Sequence, residues 1–167
     1  LLPSLKKEAL KKFRENKLTI DFKNKEIIGL PNNLKFGIYL FLIIPNKTFS
    51  VSNFKKEWVK DKAIKKTPKV ISSRFNEKDT FEKPYKLYIG KSEKLTSRIK
   101  QHCFQDKNKT TYSLKLLHRK ALLKNCEIKV CYYSIEAEKK DKNIIQFILT
   151  NLEENLRKEL NPWVGKQ

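Results

Sequence analysis

The sequence contains no long apolar run. The longest, Phe36–Pro45, has ten residues, which is about half of what a helix needs to span a bilayer. Lys6, Lys7 and Glu8 come before any apolar segment of a signal peptide could form. We therefore expect no membrane partner and a cytoplasmic protein.

Cysteine is scarce as well. The three cysteines, Cys103, Cys126 and Cys131, are odd in number and lack the CxxC or Cys/His spacing of a zinc site. This usage predicts buried thiols in a reducing compartment, not disulfides.

Acidic residues are heavily outnumbered. The chain has 18 Asp and Glu against 38 Lys and Arg in 167 residues, which leaves a formal net charge of +20. The length fits one domain, and the periodic apolar residues argue against disorder. A surplus of this size predicts a polyanionic partner, and nucleic acid is the first candidate.

Hydrophobic periodicity predicts strands and helices along most of the chain. The predicted strands are Leu18–Phe22, Phe36–Ile44, Lys86–Gly90 and Glu127–Ile135. The predicted helices lie around Leu5–Phe13 and Phe54–Ile64 and over Glu93–Phe104, Tyr112–Lys124 and Lys142–Leu160.

Two tripeptides carry the most specific pattern of the chain. Gly37-Ile38-Tyr39 lies in one predicted strand and Tyr88-Ile89-Gly90 in the next. Arg98 follows the second tripeptide by eight residues, and His102 comes one helical turn later. Glu153 lies in the last predicted helix, nine residues before a proline. Together these positions resemble the signature of the GIY-YIG nuclease family.

The resemblance implies both a fold and an activity. The implied fold is α/β (α+β), with helices flanking a small, mostly antiparallel central sheet of about three core strands. The implied activity is that of an endodeoxyribonuclease that hydrolyses phosphodiester bonds of double-stranded DNA with Mg²⁺, for which Mn²⁺ can substitute. The chain departs from the family twice: Gly165 stands where Asn is common, and about fifty residues separate Tyr39 from Tyr88 where compact members have a short hairpin.

Helical geometry distinguishes the two neighbouring acids of the last helix. At about 100° per residue, Glu153 falls about 60° from the centre of the apolar stripe and Glu154 about 160° away. A carboxylate at the rim of the core needs a positive partner, which is either a basic side chain or a metal ion. The resemblance favours Glu153 as a ligand of Mg²⁺, an ion that needs few protein carboxylates.

The remaining candidate catalytic residues surround the second tripeptide. Arg98 and His102 share a helix face, and Lys91 precedes the start of that helix, where free N–H groups attract phosphate. A solvated Arg98 and a buried structural His102 are the alternatives. Tyr39 and Tyr88 are either ordinary core tyrosines or, as the resemblance implies, part of the site, with Tyr39 slightly preferred as general base.

The long segment between the two tripeptides is expected to be a basic insertion. We predict one domain over residues 1–167, with an N-terminal extension over 1–33 and the insertion over 46–85. Residues 53–86 carry 11 basic and 5 acidic side chains, so this segment either covers the sheet edge or grips DNA. Predicted DNA contacts are Arg74, Lys86, His118 and Arg119, with a structural role as the alternative for His118.

We expect a restriction-type enzyme, bacterial or phage-encoded, that forms a homodimer because one metal site cuts one strand. Two alternatives remain open. One is a non-catalytic or structure-specific nucleic-acid-binding module of the same fold, related to repair or mobile elements. The other is a basic RNA-binding protein, which would explain the charge but not the spacing of the motif.

Overall fold

The computed structural model describes residues 1–60, 63–75 and 84–165, and its centre is an antiparallel sheet. Five strands lie in the order β2-β1-β6-β3-β5, and a separate two-stranded sheet joins β4 to β7. The strands are β1 Lys17–Asp21, β2 Glu26–Ile27, β3 Phe36–Pro45, β4 Lys69–Val70, β5 Tyr85–Ser92, β6 Cys126–Ile135 and β7 Val164–Gly165. The predicted α/β fold is confirmed, with a central sheet larger than the three core strands expected.

Helices cover both faces of this sheet. The α-helices in the described part of the chain are α1 Leu2–Glu15, α2 Val51–Lys60, α3 Leu95–Phe104, α4 Lys120–Asn125 and α5 Lys142–Leu160. Helices α1 and α5 pack on one face, and α2, α3 and α4 belong to the core on the other. None of the helices in these residues is both long enough and apolar enough to traverse a lipid bilayer.

Strand β3 is buried on both faces, as its continuous apolar run predicts. Ile38, Leu40 and Leu42 pack toward α1 and α5. Tyr39 and Phe41 point to the opposite face. Strand β3 pairs with β6 along one side and β5 along the other.

Strand β5 forms the edge of the sheet next to β3. Tyr39 lies opposite Gly90 and Gly37 opposite Ser92, so the two tripeptides that are far apart in sequence become neighbours. Strand β5 continues through Gly90 to Ser92, and α3 begins at Leu95, two residues later than predicted. The Ser92 hydroxyl accepts a hydrogen bond from the Lys94 N–H at 2.9 Å.

The helix predicted over residues 112–124 is wrong. The chain instead runs irregularly to Lys115, forms a 3-10 turn over Leu116–His118, and then enters α4. Lys115 has a left-handed backbone, with φ of 52°, and its buried ammonium donates to the carbonyls of Lys65, Lys66 and Lys109. The helix prediction assigned no partner to this lysine, whose ammonium satisfies carbonyls of two other segments.

The described part of the insertion packs onto the core through aromatic rings. The Trp163 ring lies 4.5 Å from the centroids of both Phe75 and Tyr85 and 5.0 Å from that of Phe54. The Trp163 N–H donates to the Lys86 carbonyl of β5 at 3.0 Å. The residues that follow α5 are thereby held beside the edge strand.

Candidate active site

A pocket of about 260 Å³ opens at the edge formed by β5. Its polar and charged lining includes Tyr39, Tyr88, Lys91, Arg98, Tyr112, Glu153 and Arg157, and Gly165 closes one side. The structure therefore brings together all but one of the residues predicted to be catalytic. The exception, His102, lies behind the pocket wall and is fully buried.

The two glycines of the tripeptides allow side chains to approach the sheet closely. A Cβ on Gly90 would overlap the Tyr39 hydroxyl, so this glycine leaves the space that the tyrosine fills. A Cβ on Gly37 would overlap the Tyr133 carbonyl and the Leu95 side chain at the start of α3. A larger residue at position 37 would require the backbone to move, and one at position 90 would displace the Tyr39 side chain.

His102 fixes the hydroxyl of Tyr39. Its Nδ1 accepts the Leu114 backbone N–H at 3.0 Å, so the ring proton is on Nε2, which donates to the Tyr39 oxygen at 2.7 Å. Burial, assisted by the nearby Arg98 charge, lowers the pKa of His102 well below its usual value. His102 is therefore neutral at pH 7 and orients Tyr39.

The ring of Tyr88 lies beside that of Tyr39, with the two centroids 6.1 Å apart. Burial, followed by the proximity of Tyr88, raises the pKa of Tyr39 well above 10, while Arg98 opposes the rise. Burial also raises the pKa of Tyr88, against the Arg98 charge and a hydrogen bond from Tyr39. Both tyrosines line the pocket, but the Tyr39 oxygen is engaged by His102 and Tyr88 is the less buried of the two.

Two cations of the pocket are held by neighbouring polar groups. Arg98 donates to Gln101 Oε1 at 3.0 Å and to the Tyr112 carbonyl at 2.6 Å. Lys91 Nζ donates to Gln146 Oε1 on α5 at 3.3 Å. These contacts hold both positive charges in defined positions before any ligand arrives.

Glu153 lies at the rim of the core, where the helical angle predicts it. Its carboxylate Oε1 accepts from Arg157 Nη1 at 2.7 Å, and the two side chains are only 14% and 17% exposed. Glu154 instead faces solvent, with 48% of its side chain exposed, and pairs with Lys158 at 3.1 Å.

Comparison with protein-family models matches residues 76–163 to the GIY-YIG catalytic domain. This match covers more than half of the chain and includes Tyr88, Arg98 and Glu153. The chain belongs to the GIY-YIG family. Membership indicates nuclease activity in general. Comparisons with curated proteins and with solved structures found no match.

The first tripeptide of the GIY-YIG signature lies outside the matched residues. Gly37-Ile38-Tyr39 is part of β3, which ends before residue 76. Its register with β5 and the hydrogen bond from His102 to Tyr39 connect it to the matched region.

Two residues of the polar and charged lining of this GIY-YIG pocket were not predicted from the sequence. Arg157 lies four residues after Glu153, and this Glu-to-Arg spacing on a helix is the signal that could have identified it. Tyr112 is 43% exposed at the rim of the pocket. No signal pointed to Tyr112, because its segment was predicted to be a helix.

The pocket offers oxygen ligands for a metal ion. Among the residues that the structure describes, no group of three or more His, Cys, Asp or Glu side chains could hold a metal, so an all-protein zinc site is not supported there. The Glu153 carboxylate fits Mg²⁺, which needs only one or two protein carboxylates and keeps several of its water ligands. The three cysteines are buried free thiols, as predicted.

The predicted DNA contacts lie in different places. Arg74 donates to the carbonyl of Pro162 at 2.8 Å and so lies beside the pocket, because Pro162 is part of its wall. Lys86 projects from the other face of β5, into a shallow groove next to α1. His118 does not line the pocket.

Arg119 is a correction to the sequence prediction. Only 5% of the residue is exposed, and its guanidinium carbon lies 3.3 Å from the centroid of the Trp58 ring. It also donates to the Leu114 carbonyl at 2.9 Å and to the Thr67 hydroxyl at 2.8 Å. Because these contacts enclose the guanidinium, we do not retain Arg119 as a DNA contact.

Proposed function

We propose that the protein is a Mg²⁺-dependent endonuclease that hydrolyses phosphodiester bonds of double-stranded DNA. The observation that carries the proposal is a single pocket lined by the Glu153 carboxylate together with the tyrosines and cations predicted from the sequence, namely Tyr39, Tyr88, Lys91 and Arg98. This combination suits phosphoryl transfer, in which an enzyme mainly positions the reactants and stabilises charge.

Glu153 is the proposed metal ligand, and Mn²⁺ is the expected substitute for Mg²⁺. When bound at Glu153, the ion supplies polarisation of the scissile phosphate and stabilisation of the leaving oxygen. Arg98 and Lys91 bind the phosphate and counter the negative charge that grows in the transition state. Their hydrogen bonds to Gln101, Tyr112 and Gln146 support this role, because fixed charges need little reorganisation.

Tyr88 is the general base that we favour, in place of Tyr39. The Tyr39 oxygen is already engaged by the neutral His102. The Arg98 charge lowers the pKa of Tyr88 against the effect of burial, and a cation held at Glu153 would lower it further. Tyr88 is also less buried than Tyr39, which supports contact with the attacking water.

Cleavage of supercoiled plasmid tests this proposal. Wild type with Mg²⁺ should cut the DNA, and Glu153→Ala should cut at least about 10²-fold more slowly because a charge-stabilising group is lost. Glu154→Ala is the matched control and should keep the wild-type rate, since Glu154 lies on the exposed side of the same helix. Equal cleavage by wild type and Glu153→Ala would refute the proposed mechanism.

We further propose restriction-type specificity and a homodimer that cuts both strands. Digestion of one long duplex followed by sequencing of the ends should give discrete sites, whereas random ends would contradict this specificity. The alternative, a binding module without catalysis, is favoured by Gly165, which stands where Asn is common in the family. Such a module would shift DNA in a gel and leave it intact with Mg²⁺.

A further inference from the structure

Arg157 occupies a position in the pocket that the proposed mechanism leaves unused. It follows Glu153 by one turn of α5, and its side chain is 17% exposed. Gln146, Glu153 and Arg157 share one face of α5, because their spacings of seven and four residues return to nearly the same helical angle. That face meets the pocket through Gln146, whose amide oxygen accepts from Lys91.

The surroundings of Arg157 hold more positive than negative charge. Glu153 is the one carboxylate that lines the pocket among the described residues, whereas Lys91, Arg98 and Arg157 all do so. Arg74 is close as well, since its guanidinium donates to the carbonyl of Pro162 in the pocket wall. After burial, the charge of Arg157 is the second cause that lowers the pKa of Arg74. A carboxylate shared with a divalent cation would leave these guanidinium groups with an excess of charge that a phosphate could balance.

We propose that Arg157 exchanges partners during the reaction, giving up Glu153 to the divalent cation and binding a phosphate of the DNA backbone. This inference rests on the proposed function. The cation and Arg157 compete for the same carboxylate and repel each other at this short range. An anion beside Arg157 removes the repulsion, and the planar guanidinium can bind two phosphate oxygens at once. Metal and DNA therefore favour each other's binding.

The adjacent ion pair supplies a matched control. Lys158 and Glu154 have the same four-residue spacing on the same helix, and their atoms approach to 3.1 Å. Their side chains are 75% and 48% exposed, and neither residue lines the pocket. Lys158→Gln removes one positive charge one residue away from Arg157 without changing the pocket.

Metal binding without DNA is the first measurement, made by calorimetry with Ca²⁺, which prefers oxygen ligands. Arg157→Gln removes the competing cation and should bind Ca²⁺ about threefold or more tightly than wild type. Lys158→Gln should match wild type. Weaker or unchanged Ca²⁺ binding by Arg157→Gln would overturn the exchange.

DNA binding with and without Ca²⁺ is the second measurement. In EDTA, wild type and Arg157→Gln should bind a duplex about equally, because Arg157 is engaged with Glu153. In Ca²⁺, wild type should bind the duplex more tightly than Arg157→Gln does. Its log affinity should also fall more steeply with log salt, by about the amount that one additional phosphate contact contributes. Arg157→Lys should fall between the two, since lysine keeps the charge but not the fork. A contribution of Arg157 that is the same in EDTA and Ca²⁺ would contradict the exchange.

The failure of this inference can be told apart from that of the proposed function. Circular dichroism first establishes that each variant is folded. If Arg157→Gln does not fold, Arg157→Lys replaces it in the DNA-binding measurement. If wild type neither binds Ca²⁺ nor cuts DNA with Mg²⁺, the proposed function fails and the exchange fails with it. If wild type cuts DNA, Glu153→Ala does not, and Arg157→Gln behaves like Lys158→Gln, only the exchange is overturned.

Discussion

His102 is a buried polar residue that influences the site by holding the Tyr39 hydroxyl in place. Both of its ring nitrogens are engaged, one by the Leu114 N–H and the other by the Tyr39 hydroxyl. Replacing it would leave two buried groups without a partner, which costs about 1–3 kcal/mol for each group. We therefore regard His102 as a positioning residue for Tyr39.

The burial of His102 predicts how stability depends on pH. Burial lowers the pKa of His102 in the folded protein, whereas a histidine in the unfolded chain has a pKa of about 6.5. Since the unfolded chain then binds more protons, the free energy of unfolding should fall as the pH drops from 7 to 5, by at most about 1.4 kcal/mol per pH unit. Urea denaturation at several pH values measures this slope.

Two variants assign that slope to His102. His102→Gln should be less stable at pH 7 and should lose the pH dependence between pH 5 and 7. His118→Gln leaves both hydrogen bonds of His102 in place, so the dependence should persist. A slope that survives in His102→Gln would show that another group is responsible.

At the scale of elements, one short segment connects the insertion to α3, the helix that carries Arg98 and His102. We call residues 112–115 the strap. Its carbonyl at Tyr112 accepts from Arg98, and its N–H at Leu114 donates to His102, both on α3. On its other side, the Ser113 N–H donates to the Lys66 carbonyl at 3.1 Å. The strap thus positions two residues of the site and depends on the insertion for its own position.

Lys115→Met should weaken both stability and cleavage. The variant removes an ammonium that donates to the carbonyls of Lys65, Lys66 and Lys109. Hydrogen bonds to a charged group contribute about 1.5–3 kcal/mol each, but the variant also removes the desolvation cost of the buried ammonium. We therefore expect a net loss on the order of 3 kcal/mol in the free energy of unfolding.

Chemical denaturation and plasmid cleavage measure the two effects. Lys109→Met is the control, since the Lys109 side chain is exposed and its carbonyl remains as an acceptor. If Lys115→Met were as stable and as active as Lys109→Met, the strap would not hold the site.

At the scale of the whole molecule, the charge of +20 and the chemistry of Glu153 have separate roles. Diffuse positive charge binds any phosphate backbone through release of counterions. The described part of the insertion also contributes its aromatic rings to the core. Its role in gripping DNA stays a prediction, and Lys62, Lys78 and Lys83 lie outside the described residues.

Salt dependence should separate binding from cleavage. Duplex binding without divalent cations should weaken steeply with salt, with a slope of log affinity against log salt of about −5 or steeper if six or more phosphates are contacted. Glu153→Ala should keep this slope while losing cleavage. Fluorescence anisotropy at several salt concentrations measures it, and a shallow slope would mean that the surplus of charge does not contact DNA.

Several features followed from the sequence because they depend on local periodicity. Helix α5 has the predicted bounds, Lys142–Leu160, since its apolar stripe repeats at the helical period and Pro162 ends it. The same stripe separated the half-buried Glu153 from the exposed Glu154. Strand β3 was evident from an apolar run too short for a membrane helix and rich in β-branched residues.

The tertiary structure alone decided how the site is completed. The predicted helix over 112–124 failed because the partners of Lys115 include the carbonyls of Lys65 and Lys66, which lie about fifty residues earlier. The direction of the hydrogen bond from His102 to Tyr39 depends on the N–H of Leu114 and on the burial of His102. Periodicity reports which face of an element is buried, but the partner of a buried polar group is chosen by the packing of distant segments.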